Sequence, residues 1–270
     1  MMAKKIFYIT SEMKPFASTS SLSDYSSSVP LNLQSKGNDV RCLMPKYGFI
    51  SERKYILREV IRLKEISLNF DNFELMCAAK SAFLPKSRLQ VYFLEEKEFF
   101  GELNNLLYKS KNGRFLTNNS KRFAFYCLAA IKMLPNLFWY PNVIICNGWT
   151  AALIPLFLNI LSKDNKEFAK IKSIYLTNSL NREVVFDSKN IGLQDETISS
   201  IKSLNLNQVG CMFADKTIIV NGEKNKISSK LMELKIFKDS KKCSIVNLKG
   251  GEEIDYSPLF DAIDSAIKVI

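Results

Sequence analysis

Between Ser11 and Ser28 the chain reads SEMKPFASTSSLSDYSSS, directly after the apolar run KKIFYIT at 4–10. A strand that feeds a polar loop opening a helix is where free backbone N–H groups and the helix dipole collect an anion. Glycines normally serve such a loop, because without a Cβ the backbone can approach the ligand closely. Here Ser18, Thr19, Ser20 and Ser21 stand in their place. Their hydroxyls can bond a phosphate, or they can simply cap the following helix. Lys14 is the cation of this loop, and it could reach in as a counter-charge. Histidine is absent from the whole chain. That removes the commonest acid–base group near neutral pH and the commonest metal ligand, so chemistry must run on carboxylates, lysines, tyrosines or the substrate itself.

The elements that must hold this loop are legible as alternating patterns. KKIFYIT (4–10) and DVRCLMP (39–45) are short, apolar and bounded by turn residues, as buried strands are. Between them Leu22, Tyr25, Val29 and Leu33 recur on one helical face, Gly37 offers a stop, and Pro30 predicts a bend or a break. Strand, helix, strand in this order is a right-handed parallel unit. It recurs in NVIICN (142–147), the helix-like WTAALIPLFLNILS (149–162), IKSIYLTN (171–178) and DKTIIVN (215–221). The fold expected is α/β, a doubly wound and mostly parallel Rossmann-like sheet. The stretch 56–100 lacks intervening helices and predicts an antiparallel hairpin excursion at the sheet edge. Residues 118–136 predict a long helix with Phe123, Tyr126, Cys127, Ala130 and Leu134 facing inward.

Composition narrows the classes. With 47% hydrophobic residues, and no linker rich in Pro, Gly or Ser, the 270 residues are expected to form one globular domain, the tail 244–270 ending in a helix. The apolar run near the N-terminus is too short for a signal-peptide core, and nothing reads as a membrane span. Six cysteines without a CxxC pair read as reduced core residues, so a cytoplasmic location is expected and no metal site. The net charge of +11 favours polyanions in general, with lysines densest between 216 and 242. No nucleic-acid motif accompanies them, and they read as solvated helix faces.

Six ordered segments resemble the N-terminal half of bacterial glycogen synthases and plant-type starch synthases, retaining glucosyltransferases that use ADP-glucose. ITSEMKPFASTSSLSD resembles the family opening S-E-x-x-P-F-x-K-x-G-G-L-x-D; VPLNLQSKGNDVRCLMPKYGFI, VYFLEEKEFFGE, KRFAFYCLAAIKML, VIICNGWTAALIPLFL and FADKTIIVN follow in family order. The resemblance implies one half of a GT-B fold, with glucan held by this half and most of the nucleotide-sugar site in a second domain expected beyond this chain's end. It also implies a lysine at the position of Ser18, glycines at Ser20 and Ser21, and family types kept at Thr19, Leu22 and Asp24. In the family's H-x-N-D-W-H/Q-T segment, Asn147 and Trp149 persist while Ile145, Gly148 and Thr150 replace the polar residues. In its T-I-H-N segment Thr177 replaces the histidine and Asn178 remains.

These replacements predict a degenerate domain without independent glucosyl transfer, because lost preorganised electrostatics typically lower rates on the order of 10²–10³ per element. The substrate-binding positions the resemblance implies are Ser18, Thr19, Ser20, Ser21, Asp24, Asn147, Trp149 and Asn178; no catalytic residue is assigned, Gly148 and Thr177 being substituted. No cofactor is expected, and ADP-glucose is the donor the family would use. The partners expected are an α-1,4-glucan, a protein of glycogen metabolism, or a separate chain carrying the C-terminal half. Tyr92, Phe99, Phe100 and Tyr108 are candidates for sugar stacking, and Trp149 either stacks on a sugar or packs. The terminal helix, with Ser257 and Pro258 at its start, is expected on the surface that the family's returning final helix covers, or on part of the cleft. The competing readings are an active transferase completed by a partner chain, and polyanion binding through the lysines of 216–242.

Overall fold

The computed structural model describes residues 3–101, 107–179, 184–186, 191, 193, 195–201, 204–222, 227–233, 242–249 and 254–270. The strands are β1 (Lys5–Ile9), β2 (Asp39–Pro45), β3 (Arg58–Glu59), β4 (Ile66–Phe70), β5 (Phe73–Phe83), β6 (Gln90–Glu95), β7 (Val143–Asn147), β8 (Lys172–Thr177), β9 (Lys216–Asn221) and β10 (Cys243–Asn247). The helices are α1 (Leu22–Ser35), α2 (Glu52–Tyr55), α3 (Asn119–Leu137), α4 (Ile154–Leu161), α5 (Lys166–Ala169), α6 (Glu196–Ser200), α7 (Leu206–Phe213), α8 (Ser228–Glu233) and α9 (Ser257–Val269).

The described strands form one sheet in the order β10-β9-β8-β7-β1-β2-β6-β5-β3, with β4 paired to β5 off this path. From β10 through β6 all neighbours run parallel. A parallel sheet needs both faces covered, and Ile6, Phe7, Tyr8 and Ile9 of the central strand are fully buried. β5 runs antiparallel to β6, β4 and β3, so the excursion falls at the sheet edge as its sequence indicates.

Two helices depart from expectation. α1 buries Leu22, Tyr25, Val29 and Leu33 and is followed by Gly37 at φ 85°, but it runs through Pro30 as one element. Pro30 is itself buried in the apolar stripe, so packing holds the helix where local propensity would interrupt it. α3 buries the five residues named and also Phe125, Leu128, Ala129 and Met133. Its outer face is covered by β4, where Phe70 and Phe125 meet edge to face at 5.4 Å. Cys42, Cys77, Cys127, Cys146 and Cys211 are buried and Cys243 is half-buried; burial pushes the Cys127 thiol up to about 12.

α9 packs on α1, β9 and β10, and its Leu259 and Ile263 are fully buried. Lys4 Nζ donates to Ile267 O at 2.6 Å, and Lys36 pairs with Asp264. The last turn of the helix therefore lies by the amino end of β1, while Tyr256 at its start meets Tyr25 of α1 at 6.2 Å. Ile263→Ala is expected to lower unfolding free energy by about 3 kcal/mol, read from the urea midpoint; a loss below about 0.5 kcal/mol would show that α9 is only loosely attached. Of the lysines between 216 and 242, Lys224, Lys226, Lys235, Lys238 and Lys241 lie outside the described residues. No described helix is long and apolar enough to cross a membrane.

Candidate functional site

A cavity of about 570 Å³ opens at the carboxyl ends of β1, β7 and β8, where open α/β sheets place their ligands. Ser11 and Glu12 follow β1, Thr19 to Leu22 form the loop and the start of α1, Trp149 and Thr150 follow β7, and Asn178 and Ser179 follow β8. Tyr108, Lys109 and Phe115 close it from the segment before α3.

The loop is organised by a residue that sequence reading passed over. Glu12 is fully buried, and its Oε2 accepts the Thr19 N–H at 2.5 Å and the Ser20 N–H at 3.0 Å. Its Oε1 accepts Ser20 Oγ at 3.0 Å and Tyr108 Oη at 2.8 Å. Two backbone amides of the kind that would cradle a phosphate thus already hold a carboxylate. Since the carboxylate only accepts, Tyr108 gives it its single proton and must accept from Ser11 Oγ at 2.7 Å, which in turn accepts from Thr150 Oγ1 at 2.8 Å. Burial, then the nearby Glu12, raises the Tyr108 pKa well above the ordinary phenol value and keeps this chain of hydroxyls protonated.

The serines do not cap α1 in the expected way. Ser21, at the N-cap, makes no side-chain cap bond, because the entry to the helix is fixed from the side by Glu12. Ser20 Oγ accepts the Leu22 N–H only at 3.4 Å, and Ser18 Oγ lies 2.7 Å from Ser23 Oγ. Lys14 does not reach the cavity as a replacement cation; it pairs with Asp24 outside the cavity wall.

The segments after β7 and β8 divide between wall and core. Asn147 is fully buried behind the loop, its Nδ2 donating to Ser26 Oγ at 2.8 Å, so it ties β7 to α1. Thr177 is also fully buried, 3.0 Å from both Ser179 O and Asn207 Oδ1. Asn178 lines the cavity and donates to Ser21 Oγ at 3.3 Å, closing one side of the mouth. Gly148 holds φ 79° and ψ 170° at the turn out of β7.

The pattern described as starch synthase catalytic domain matches residues 5–226. The chain belongs to this family. Curated relatives include the glycogen synthase of Chlorobium limicola, 32% identical over 185 residues that make up 68% of this chain and 38% of that protein. The glycogen synthase of Pelodictyon phaeoclathratiforme is 30% identical over 210 residues, 77% of this chain and 43% of that protein. The chain therefore spans about two fifths of the length of these relatives. In fold it matches the catalytic domain of starch synthase IV from Arabidopsis thaliana bound to ADP and acarbose, with a TM-score of 0.71, 19% identity, and coverage of 91% of this chain and 51% of that one.

Within this starch synthase domain the aromatic candidates separate. Tyr92, Phe99 and Phe100 are buried, Tyr92 between Arg41 and Gln90 and the two phenylalanines among Phe70, Tyr47 and Phe123, so they present no face to a sugar. A run of aromatics beside a hairpin reads alike whether it points in or out. Tyr108 alone of the four lines the cavity. Trp149 is 7% exposed and meets Tyr108 at 5.2 Å and Phe123 at 5.1 Å, edge to face. Its ring contributes an edge of wall; most of its surface is packed. Glu12, Ser11, Lys109 and Phe115 are cavity residues the sequence reading missed. Glu12 is the acid of the family opening S-E-x-x-P-F, and that match was the available signal for it.

Proposed function

We propose that this chain holds an α-glucan in the cavity beneath the serine loop and does not by itself transfer glucose from ADP-glucose. The observation that carries this reading is that the Glu12 carboxylate, seated on the Thr19 and Ser20 amides, has no loop cation to offset it: Ser18 stands at the position of the family's lysine, and Lys14 pairs with Asp24 instead. A phosphate brought to those amides would meet a fixed negative charge, a repulsion of about 4 kcal/mol at 4 Å in a moderately polar surrounding. Of ADP and acarbose, the molecules bound to the Arabidopsis domain, the cavity chemistry fits the polyhydroxylated one. Ser21, Thr150, Asn178 and Ser179 supply hydroxyl and amide groups, while Tyr108, Phe115 and Trp149 supply apolar wall.

Two measurements on the purified chain test this. It should co-sediment with glycogen, and Phe115→Ala combined with Asn178→Ala should weaken that association about tenfold, one packing and one hydrogen-bond contribution being lost. Incorporation of labelled glucose from ADP-glucose should stay at background. Absence of co-sedimentation by the unmutated chain, or incorporation clearly above background, overturns the reading.

A second reading, transfer completed by a separate chain carrying the rest of the active site, draws on Lys109. This lysine is exposed on the cavity rim, its Nζ 5.2 Å above the Phe115 ring, and it could face a donor phosphate. Adding the C-terminal half of a two-domain relative to the assay separates the readings, since only the second expects incorporation that Lys109→Ala then abolishes.

A further inference from the structure

We propose that the groove beside the edge strand β3 docks an extended acidic segment of a partner protein. The groove encloses about 490 Å³ and is separate from the serine-loop cavity, with which it shares no lining residue. Its walls include Lys54, Tyr55, Ile56, Arg58 and Phe83, and no acidic residue lines it.

Three properties specify the occupant. The first is charge. Lys54 and Arg58 are exposed cations without an ion pair among the described residues, and Arg53 on α2 and Lys86 and Arg88 in the turn between β5 and β6 stand exposed with none either. The nearby acids are already engaged, Glu52 by Lys46 and Lys80 and Glu59 by Lys64. The second is apolar surface. Ile56 is 64% exposed and Phe83 62% exposed, and nothing in the chain's described residues covers them. The third is an open backbone edge. β3 pairs only with Lys80 and Ser81 of β5, and no described strand continues beside Ala82 and Phe83 on that side.

A polypeptide in extended form answers all three at once. Its backbone can continue the ladder, and side chains of alternating type reach the apolar floor and the cationic rim. A second copy of this chain would bring its own net charge of +11 to a basic surface, which opposes self-association. A nucleic acid would want free aromatic faces to stack on. Of the two rings lining the groove, Tyr55 is pinned, its Oη donating to Pro15 O at 2.9 Å and its ring edge to face with Phe16 at 4.8 Å, which leaves Phe83 as a single free face and no platform for successive bases.

The probe is a fluorescein-labelled peptide of alternating glutamate and valine, followed by anisotropy with the full chain at low and physiological salt. Saturable binding is expected, weakening as salt rises. Lys54→Glu with Arg58→Glu should weaken it at least about tenfold, and Phe83→Ser should weaken it without altering the salt dependence. These side chains are exposed, so folding of each variant is verified by an unchanged melting temperature; the salt titration of the unmutated chain stands independently of them. Slowed hydrogen exchange at the Phe83 amide, which faces the open side while those of Ala82 and Leu84 face β6, marks strand addition on adding peptide. The proposal fails if no saturable binding is seen, if a lysine–valine peptide binds equally well, if charge reversal has no effect, or if an oligothymidylate binds more tightly and displaces the peptide.

Discussion

Replacing Glu12 by alanine is expected to lower the unfolding free energy by about 3–5 kcal/mol. Four donors converge on this buried carboxylate, the N–H groups of Thr19 and Ser20 and the hydroxyls of Ser20 and Tyr108. An unsatisfied buried donor costs about 1–3 kcal/mol, and water from the adjoining cavity can relieve some of the four. Glu12→Gln keeps one acceptor oxygen but turns an NH₂ toward donors, so it should fall between alanine and the native chain. The two variants also separate stability from electrostatics. With the charge gone, the glutamine variant should bind ADP measurably more tightly by calorimetry than the native chain does, because the amide pair no longer faces a fixed anion. A urea midpoint for Glu12→Ala close to native would remove Glu12 as organiser of the loop. Equal ADP affinity in Glu12→Gln and native protein would remove its charge as the reason for excluding phosphate.

The sheet was legible in the sequence because each parallel strand is a short apolar run with turn residues on either side, and burial on both faces requires that pattern. The hairpin excursion was legible for the complementary reason that 56–100 offers no helical period. Helix α3 was less so: its inward face could be read, but cover over Phe125 comes from β4, some fifty residues earlier, and local periodicity holds no record of it. The site divides in the same way. Trp149 and Asn178 reach the cavity because they sit on turns that follow strands, and Ser20 and Ser21 because they form the loop that opens α1. Asn147 and Thr177, one residue earlier on their strands than the turn, point into the core, and alternation of side chains across a strand decides this. Resemblance to a family names positions; which of them keep access to a ligand depends on side-chain direction and on partners such as Glu12 and Asn207, which lie far away in sequence.

Restoring the acid that the family places after β7, by Gly148→Asp, is expected to destabilise the chain by about 3–5 kcal/mol without creating transfer activity. Gly148 holds φ 79° with ψ 170°, a region essentially reserved for glycine, in which other residues are strained by about 1–3 kcal/mol. A Cβ built there lies 2.5 Å from Leu22 Cδ1, and Leu22 is itself buried at the start of α1 and cannot move aside freely. The carboxylate would then be held beside an apolar side chain, which adds a desolvation cost. Leu22→Ala in the same chain removes the clash but neither the backbone strain nor the desolvation, so it should recover less than half of the loss. Full recovery in the double variant, read from urea midpoints, would mean that sterics alone excluded the acid. The same logic reaches Thr177, fully buried and donating to Asn207 Oδ1 at 3.0 Å, a bond that an imidazole at this position would have to replace. The surrounding structure has therefore closed around the substituted residues, and Ser18→Lys with Gly148→Asp should yield a less stable protein that still leaves label incorporation from ADP-glucose at background. Incorporation by that variant at undiminished stability would show instead that the ancestral geometry is intact and that only the side chains were lost.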